Sequence, residues 1–90
     1  MEALDGNAIG GLLLEVFGVE MTTATGVCGS CGAAGEVATF VVYLQAPGTV
    51  VRCRSCGGVL VVIVDRRGVK CVDLRGVATL RPAGQNDVAG

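Results

Sequence analysis

The sequence predicts an α+β fold in which an N-terminal helix accompanies a small antiparallel β-sheet. Three observations carry that reading. Apolar residues recur at helical spacing between Asp5 and Phe17. β-rich runs broken by Gly and Pro fill the chain from Val37 onward. The motif Cys-x-x-Cys-Gly occurs twice, in "TGVCGSCGA" (25–33) and again in "VVRCRSCGG" (50–58). Ninety residues make one small domain at most, and domains of this size often need a metal, a disulfide or a partner to be stable. Apolar residues make up 51% of the chain, yet there are two Phe, one Tyr and no Trp. The core must therefore be aliphatic.

The helix is predicted over Asp5–Phe17, with Ile9, Leu12, Leu13, Val16 and Phe17 on its buried face. Asp5 or Asn7 can cap its start, and Gly18 suits a left-handed stop. The paired Gly10 and Gly11 weaken a helix, so either something packs closely on them or the helix begins late. "EMTTATGV" reads as a short strand or extended arm leading into the first cysteine pair. "VATFVVYLQ" is predicted as a strand, "APG" (46–48) as a turn and "TVVRC" as the returning strand. "GVLVVIVD" is a third strand, "RRG" (66–68) a tight turn and "VKCVDL" its antiparallel partner. The implied organisation is an amphipathic helix over 1–22, a β domain over 23–80 and a mobile tail over 81–90.

The third strand is informative. Val59, Leu60, Val61, Val62, Ile63 and Val64 leave neither face polar, whereas a half-exposed antiparallel strand alternates. The helix can cover one face. The other has to meet more of this chain or a second protein, which predicts a protein partner or a homo-oligomer.

Cys28 and Cys31 form one pair and Cys53 and Cys56 the other. Two residues between ligands let a tight turn aim two thiolates at one ion. Gly32 and Gly57 follow where the chain must reverse. The hairpin between the pairs delivers the second half of a tetrahedron, and four thiolates suit Zn²⁺. This makes the ribbon a four-cysteine zinc ribbon; iron fits the same ligands less readily. The chain has no histidine, and each pair is followed by glycine and β-type sequence, not by the helix of a redox motif. A site closed by four sulfurs is structural, because catalytic zinc keeps a position open for water. Cys71, in "VKCVDL", is expected to be a small buried hydrophobe.

Charge is unevenly spread. Residues 1–45 hold five acids and no Lys or Arg, a net of −5; residues 46–90 hold seven cations against three acids, a net of +4. A basic edge beside Cys53 (Arg52, Arg54) and at the hairpin tip (Arg66, Arg67) would suit nucleic acid. The overall charge of −1 and the lack of stacking aromatics speak against it. The acidic start "MEALDG" is unlike a signal peptide, and the longest aliphatic run is short of the ~18 residues that span a membrane. A cytoplasmic protein is expected, with reduced cysteines.

The segments "LDGNAIGGLLLEVFGVEMTTATGVCGSCG", "VVYLQAPGTVVRCRSCGGVLVVIV" and "VDLRG" resemble a small family of uncharacterised bacterial zinc-ribbon proteins, a domain of unknown function. The likeness spans about residues 4–80 and implies Cys28, Cys31, Cys53 and Cys56 as the metal site; it implies no activity. A looser likeness is to the zinc domain of nickel metallochaperones of hydrogenase maturation, which carry two such knuckles. Those proteins hold nickel with a histidine after the initiator Met, whereas this chain begins Met1-Glu2-Ala3.

Three roles follow as expectations. The first is a zinc-ribbon interaction module or small subunit. The second is a nucleic-acid-binding ribbon of transcription or translation, and the third a metallochaperone-like protein. An enzyme is not expected, since no nucleophile, base and orienting group stand together in the sequence.

Overall fold

A computed structural model describes residues 4–45 and 48–82. The architecture is one short helix with two antiparallel sheets. The elements run β1 (Leu4–Asp5), a 3₁₀ turn (Gly6–Ile9), α1 (Gly10–Phe17), β2 (Thr25–Cys28), β3 (Ala34–Glu36) and a second 3₁₀ turn (Val37–Thr39). They continue with β4 (Val41–Gln45), β5 (Gly48–Arg52), β6 (Val59–Arg66), β7 (Val69–Asp73) and β8 (Val77–Arg81). One sheet has the order β1-β4-β5-β6-β7, the other β3-β2-β8.

The helix begins late, as its glycine pair implied: the α-helical hydrogen bonding starts at Gly10. Gly18 ends it with φ 77°, its N–H bonding the Leu14 carbonyl at 2.8 Å. Asp5 precedes the first turn but its side chain caps nothing. Leu13 is buried, and Leu12, Val16 and Phe17 pack against the core beside it. Lys70 pins this helix to the β6–β7 hairpin. Its ammonium lies 3.3 Å from Glu15 on α1 and 3.2 Å from Asp65 on β6.

The five-stranded sheet has an inner and an outer face. Val42, Val51 and Val61 stand side by side in register and are buried beneath the helix, with Ile63 beside them. Val77 and Leu80 of β8 also pack on this core. The register slips where Val51 pairs with Val61 and Arg52 with Val59, leaving Leu60 as an extra residue. That bulge turns Leu60 inward beside Val61, so two consecutive residues of β6 are buried. It explains part of the unbroken apolar run. Alternation places Val41, Tyr43, Val50, Val62 and Val64 on the outer face. None of them joins the buried cluster.

Three expectations are corrected. "VATFVVYLQ" is not one strand, because Val37–Thr39 forms a 3₁₀ turn and pairing starts at Val41. The backbone there is drawn elsewhere: Val37 N–H bonds Ala24 and Ala38 N–H bonds Thr22, each at 2.9 Å. β3 and β8 add a second sheet around β2 that local pattern did not show. Cys71 is exposed and not buried, because β7 lies at the sheet edge and turns this residue to the outer face, in register with Val64. The "RRG" turn forms as expected, with φ 55° at Arg67 and 85° at Gly68. The "APG" turn and most of the expected tail lie outside the described residues.

Candidate metal centre

Each cysteine pair sits on a loop of the same construction. In the first, Cys28 ends β2; its N–H bonds the Ala33 carbonyl at 2.9 Å, and Gly32 N–H returns to the Cys28 carbonyl at 3.0 Å. In the second, Cys53 follows β5; its N–H bonds Gly58 at 2.8 Å, and Gly57 N–H returns to Cys53 at 2.9 Å. Gly32 and Gly57 take φ 77° and 78°, a left-handed bend that side chains disfavour. The turn frees N–H groups to point at sulfur. Ser30 donates to Cys28 Sγ at 3.4 Å, Ser55 to Cys53 Sγ at 3.3 Å and Gly58 to Cys56 Sγ at 3.4 Å.

The two loops meet with all four sulfurs within 4.8 Å of one another. Cys28 and Cys56 approach to 3.7 Å, as do Cys31 and Cys53. None of the four is in a disulfide. A Zn–S bond of about 2.3 Å implies tetrahedron edges of about 3.8 Å, so the spacing fits such an ion. Cys28 and Cys53 are buried, while Cys31 and Cys56 are exposed. The centre therefore has a protein side and a solvent side.

The electrostatics of the bare sulfurs also point to a cation. The Cys56 and Ser55 N–H groups hold the Cys53 thiol down at about 6. The Cys31 and Ser30 N–H groups lower Cys28 in the same way. For Cys31 the Ala33 N–H pulls downward, but burial and the three neighbouring sulfurs outweigh it and push the thiol up to about 11. Thiolates this close resist ionising together, and a dication among them removes the conflict. The residues present thus fit zinc, which would supply a fixed crosslink between the two loops.

The surroundings were only partly visible in sequence. Arg52 donates to the Gly57 carbonyl at 2.8 Å and stacks over the Tyr43 ring at 5.9 Å, bracing the second loop. Arg54 and Ser55 form one wall of a cavity of about 200 Å³ that reaches Cys28, Cys53 and the bulged Leu60. Arg75 is held by Asp73 at 2.7 Å, and that partner keeps the Asp73 carboxyl at about 2. Gly76 was missed altogether. Its carbonyl accepts from Gly29 N–H at 2.9 Å, tying the start of β8 to the first loop. Its only signal was a glycine before a short β-like run. Cys71 stands apart from the four-sulfur group.

The model of the Family of unknown function (DUF6510) matches residues 1–85. Neither the curated proteins nor the solved structures offer a match to the chain.

Proposed function

Starting from the chain's membership of the Family of unknown function (DUF6510), whose model spans residues 1–85, we propose that it is a metal-clasped interaction module, a small subunit that presents its open sheet face to a protein partner. The observation that carries this reading is the asymmetry of the five-stranded sheet. Its inner face packs against α1 and β8, whereas Tyr43, Val50, Val62 and Val64 on its outer face stay outside the buried cluster among the described residues. Val59 and Val69 are 42% and 63% exposed on that same side. A contiguous aliphatic surface on so small a protein is the kind that docks.

The metal's part is mechanical. Cys28 closes the end of β2 in one sheet; Cys53 and Cys56 bracket the β5–β6 connection in the other. One ion held by all four sulfurs joins the sheets and keeps the docking face rigid. Zinc is the ion of choice and iron the weaker one. With four sulfurs coordinating, no position is left for a substrate, so the proposed role is not catalytic.

Nucleic acid is the second reading, and charge disfavours it. Loading four thiolates with a dication lowers the formal charge by two, from −1 to −3. Arg52 is engaged with Gly57, and Arg75 with Asp73. A metallochaperone-like role lacks a second donor group: among the described residues the four sulfurs form the one cluster fit to hold an ion.

Native mass spectrometry of the protein purified from its own host tests the proposal. The expected result is one bound metal together with a second copy or a co-purifying protein. A strict monomer at micromolar concentration with no companion overturns it.

A further inference from the structure

Two sulfur pairs stand 3.7 Å apart, Cys28 with Cys56 and Cys31 with Cys53, within a group of four that all lie within 4.8 Å of one another. Both pairs cross from one loop to the other, and both join a buried cysteine to an exposed one. From this arrangement we propose that the centre is a site of reversible oxidation, at which a peroxide exchanges the metal clasp for two disulfides between the loops. The inference rests on the four sulfurs sharing one ion, as argued above.

Access exists from both sides. Cys31 and Cys56 are open to solvent, and the cavity walled by Arg54 and Ser55 reaches Cys28 and Cys53. The chemistry needs only the peroxide as co-reactant. The exposed Cys56 thiolate attacks one peroxide oxygen; the S–O bond forms, the O–O bond breaks and hydroxide leaves. The Cys28 thiolate then attacks the sulfenic sulfur; the S–S bond forms, the S–O bond breaks and a second hydroxide leaves. Cys31 and Cys53 repeat the sequence with a second peroxide. Each pair of thiolates thus gives up two electrons to one peroxide and becomes one disulfide. With its donors consumed, the chain no longer holds a dication.

Pairing decides whether this is damage or a switch. A bond inside one loop, such as Cys53 to Cys56, would leave the two loops untied. Bonds between the loops span 28 and 22 residues and restore the crosslink that the ion supplied. The oxidised protein should therefore stay folded without metal, and a thiol reductant should return it to the metal-binding form.

The full chain, reduced and loaded with zinc, is treated with hydrogen peroxide. Zinc release is followed with a chromogenic chelator, disulfides by mass spectrometry of tryptic peptides, and folding by thermal melting. Cleavage at Arg52 and Arg54 isolates Cys53 from Cys56 and both from the peptide carrying Cys28 and Cys31. The expected result is release of the zinc, linkage of the Cys28/Cys31 peptide to both others, and a cooperative melt that the chelated, reduced chain lacks. The double variant Cys31→Ser/Cys53→Ser, which keeps only the Cys28–Cys56 pair, should form its disulfide faster than Cys31→Ser/Cys56→Ser, which keeps Cys28 and Cys53. Should these variants fail to fold, the wild-type peptide map decides alone. Cys53 linked to Cys56, sulfinic acid without disulfide, or an oxidised chain no more stable than the chelated one overturns the inference while leaving the metal reading intact. A reduced chain that binds no zinc overturns both.

Discussion

Gly76 lies so close to Val59 that a Cβ on it would sit 1.9 Å from the Val59 carbonyl oxygen. The obstacle is backbone, which cannot swing aside as a side-chain tip can. Gly76→Ala is therefore expected to push β8 away from β6 and to break the bond from Gly29 into the first cysteine loop. The cost should be on the order of 3 kcal/mol, read as a drop in denaturation midpoint. Gly11→Ala is the matched control with the opposite sign. A Cβ there meets nothing within 4 Å, and the position is helical, so it should stabilise by up to about 1 kcal/mol.

Cys53→Ser removes a buried sulfur that is joined by N–H donors and lies 3.7 Å from Cys31. The variant is expected to lose bound metal and, with it, cooperative melting, because a structural zinc contributes roughly 10 kcal/mol or more in apparent folding energy. Metal content by elemental analysis and a thermal scan check both halves. Cys71→Ser should change neither, since Cys71 is exposed and outside the cluster.

Substitutions on the two faces of the sheet should separate folding from association. Val69→Glu alters a side chain that is 63% exposed on the outer side, so stability should stay within about 0.5 kcal/mol while self-association or partner binding falls. Ile63→Ala, on the inner face at 2% exposure, should cost about 2–5 kcal/mol. Light scattering and denaturant titration on the same pair of variants give the contrast. If Val69→Glu binds normally, the outer face is not the docking surface.

Lys70 supplies a pH dependence. Asp65 and Glu15 beside it raise its pKa above the ordinary lysine value. A group raised on folding stabilises fully below its unfolded pKa of about 10.4 and loses that contribution as pH climbs through the folded value. Thermal stability should thus decline in the alkaline range above about pH 10. The double variant Glu15→Gln/Asp65→Asn should flatten this decline, as measured by melting curves from pH 8 to pH 12.

Much of the fold was legible because its signals are local. The helical spacing of Ile9, Leu13 and Phe17, the left-handed Gly18 and the Arg67–Gly68 turn all depend on neighbours in the chain. So does the grouping of Cys28, Cys31, Cys53 and Cys56, which spacing alone brought into view. The remainder is set by distant partners. "AGE" has weak strand propensity and becomes β3 only by pairing with β2. β8 likewise depends on β2, which pairs Thr25 with Arg81. Val37–Thr39 has strand-like residues, but its backbone donors find better acceptors at Thr22 and Ala24. Cys71 was misjudged because an edge strand and a central one share the same composition.

The pairing of Thr25 with Arg81 also carries a temporal meaning. A chain emerging from a ribosome can bring its two cysteine loops together once Gly58 is out. The sheet that contains β2 must wait for the residues up to Arg81. Metal capture is thus available about a score of residues before β8 arrives. Through that interval the ion would anchor the nascent chain, shielding β2 from wrong partners while its lasting neighbour is still being synthesised.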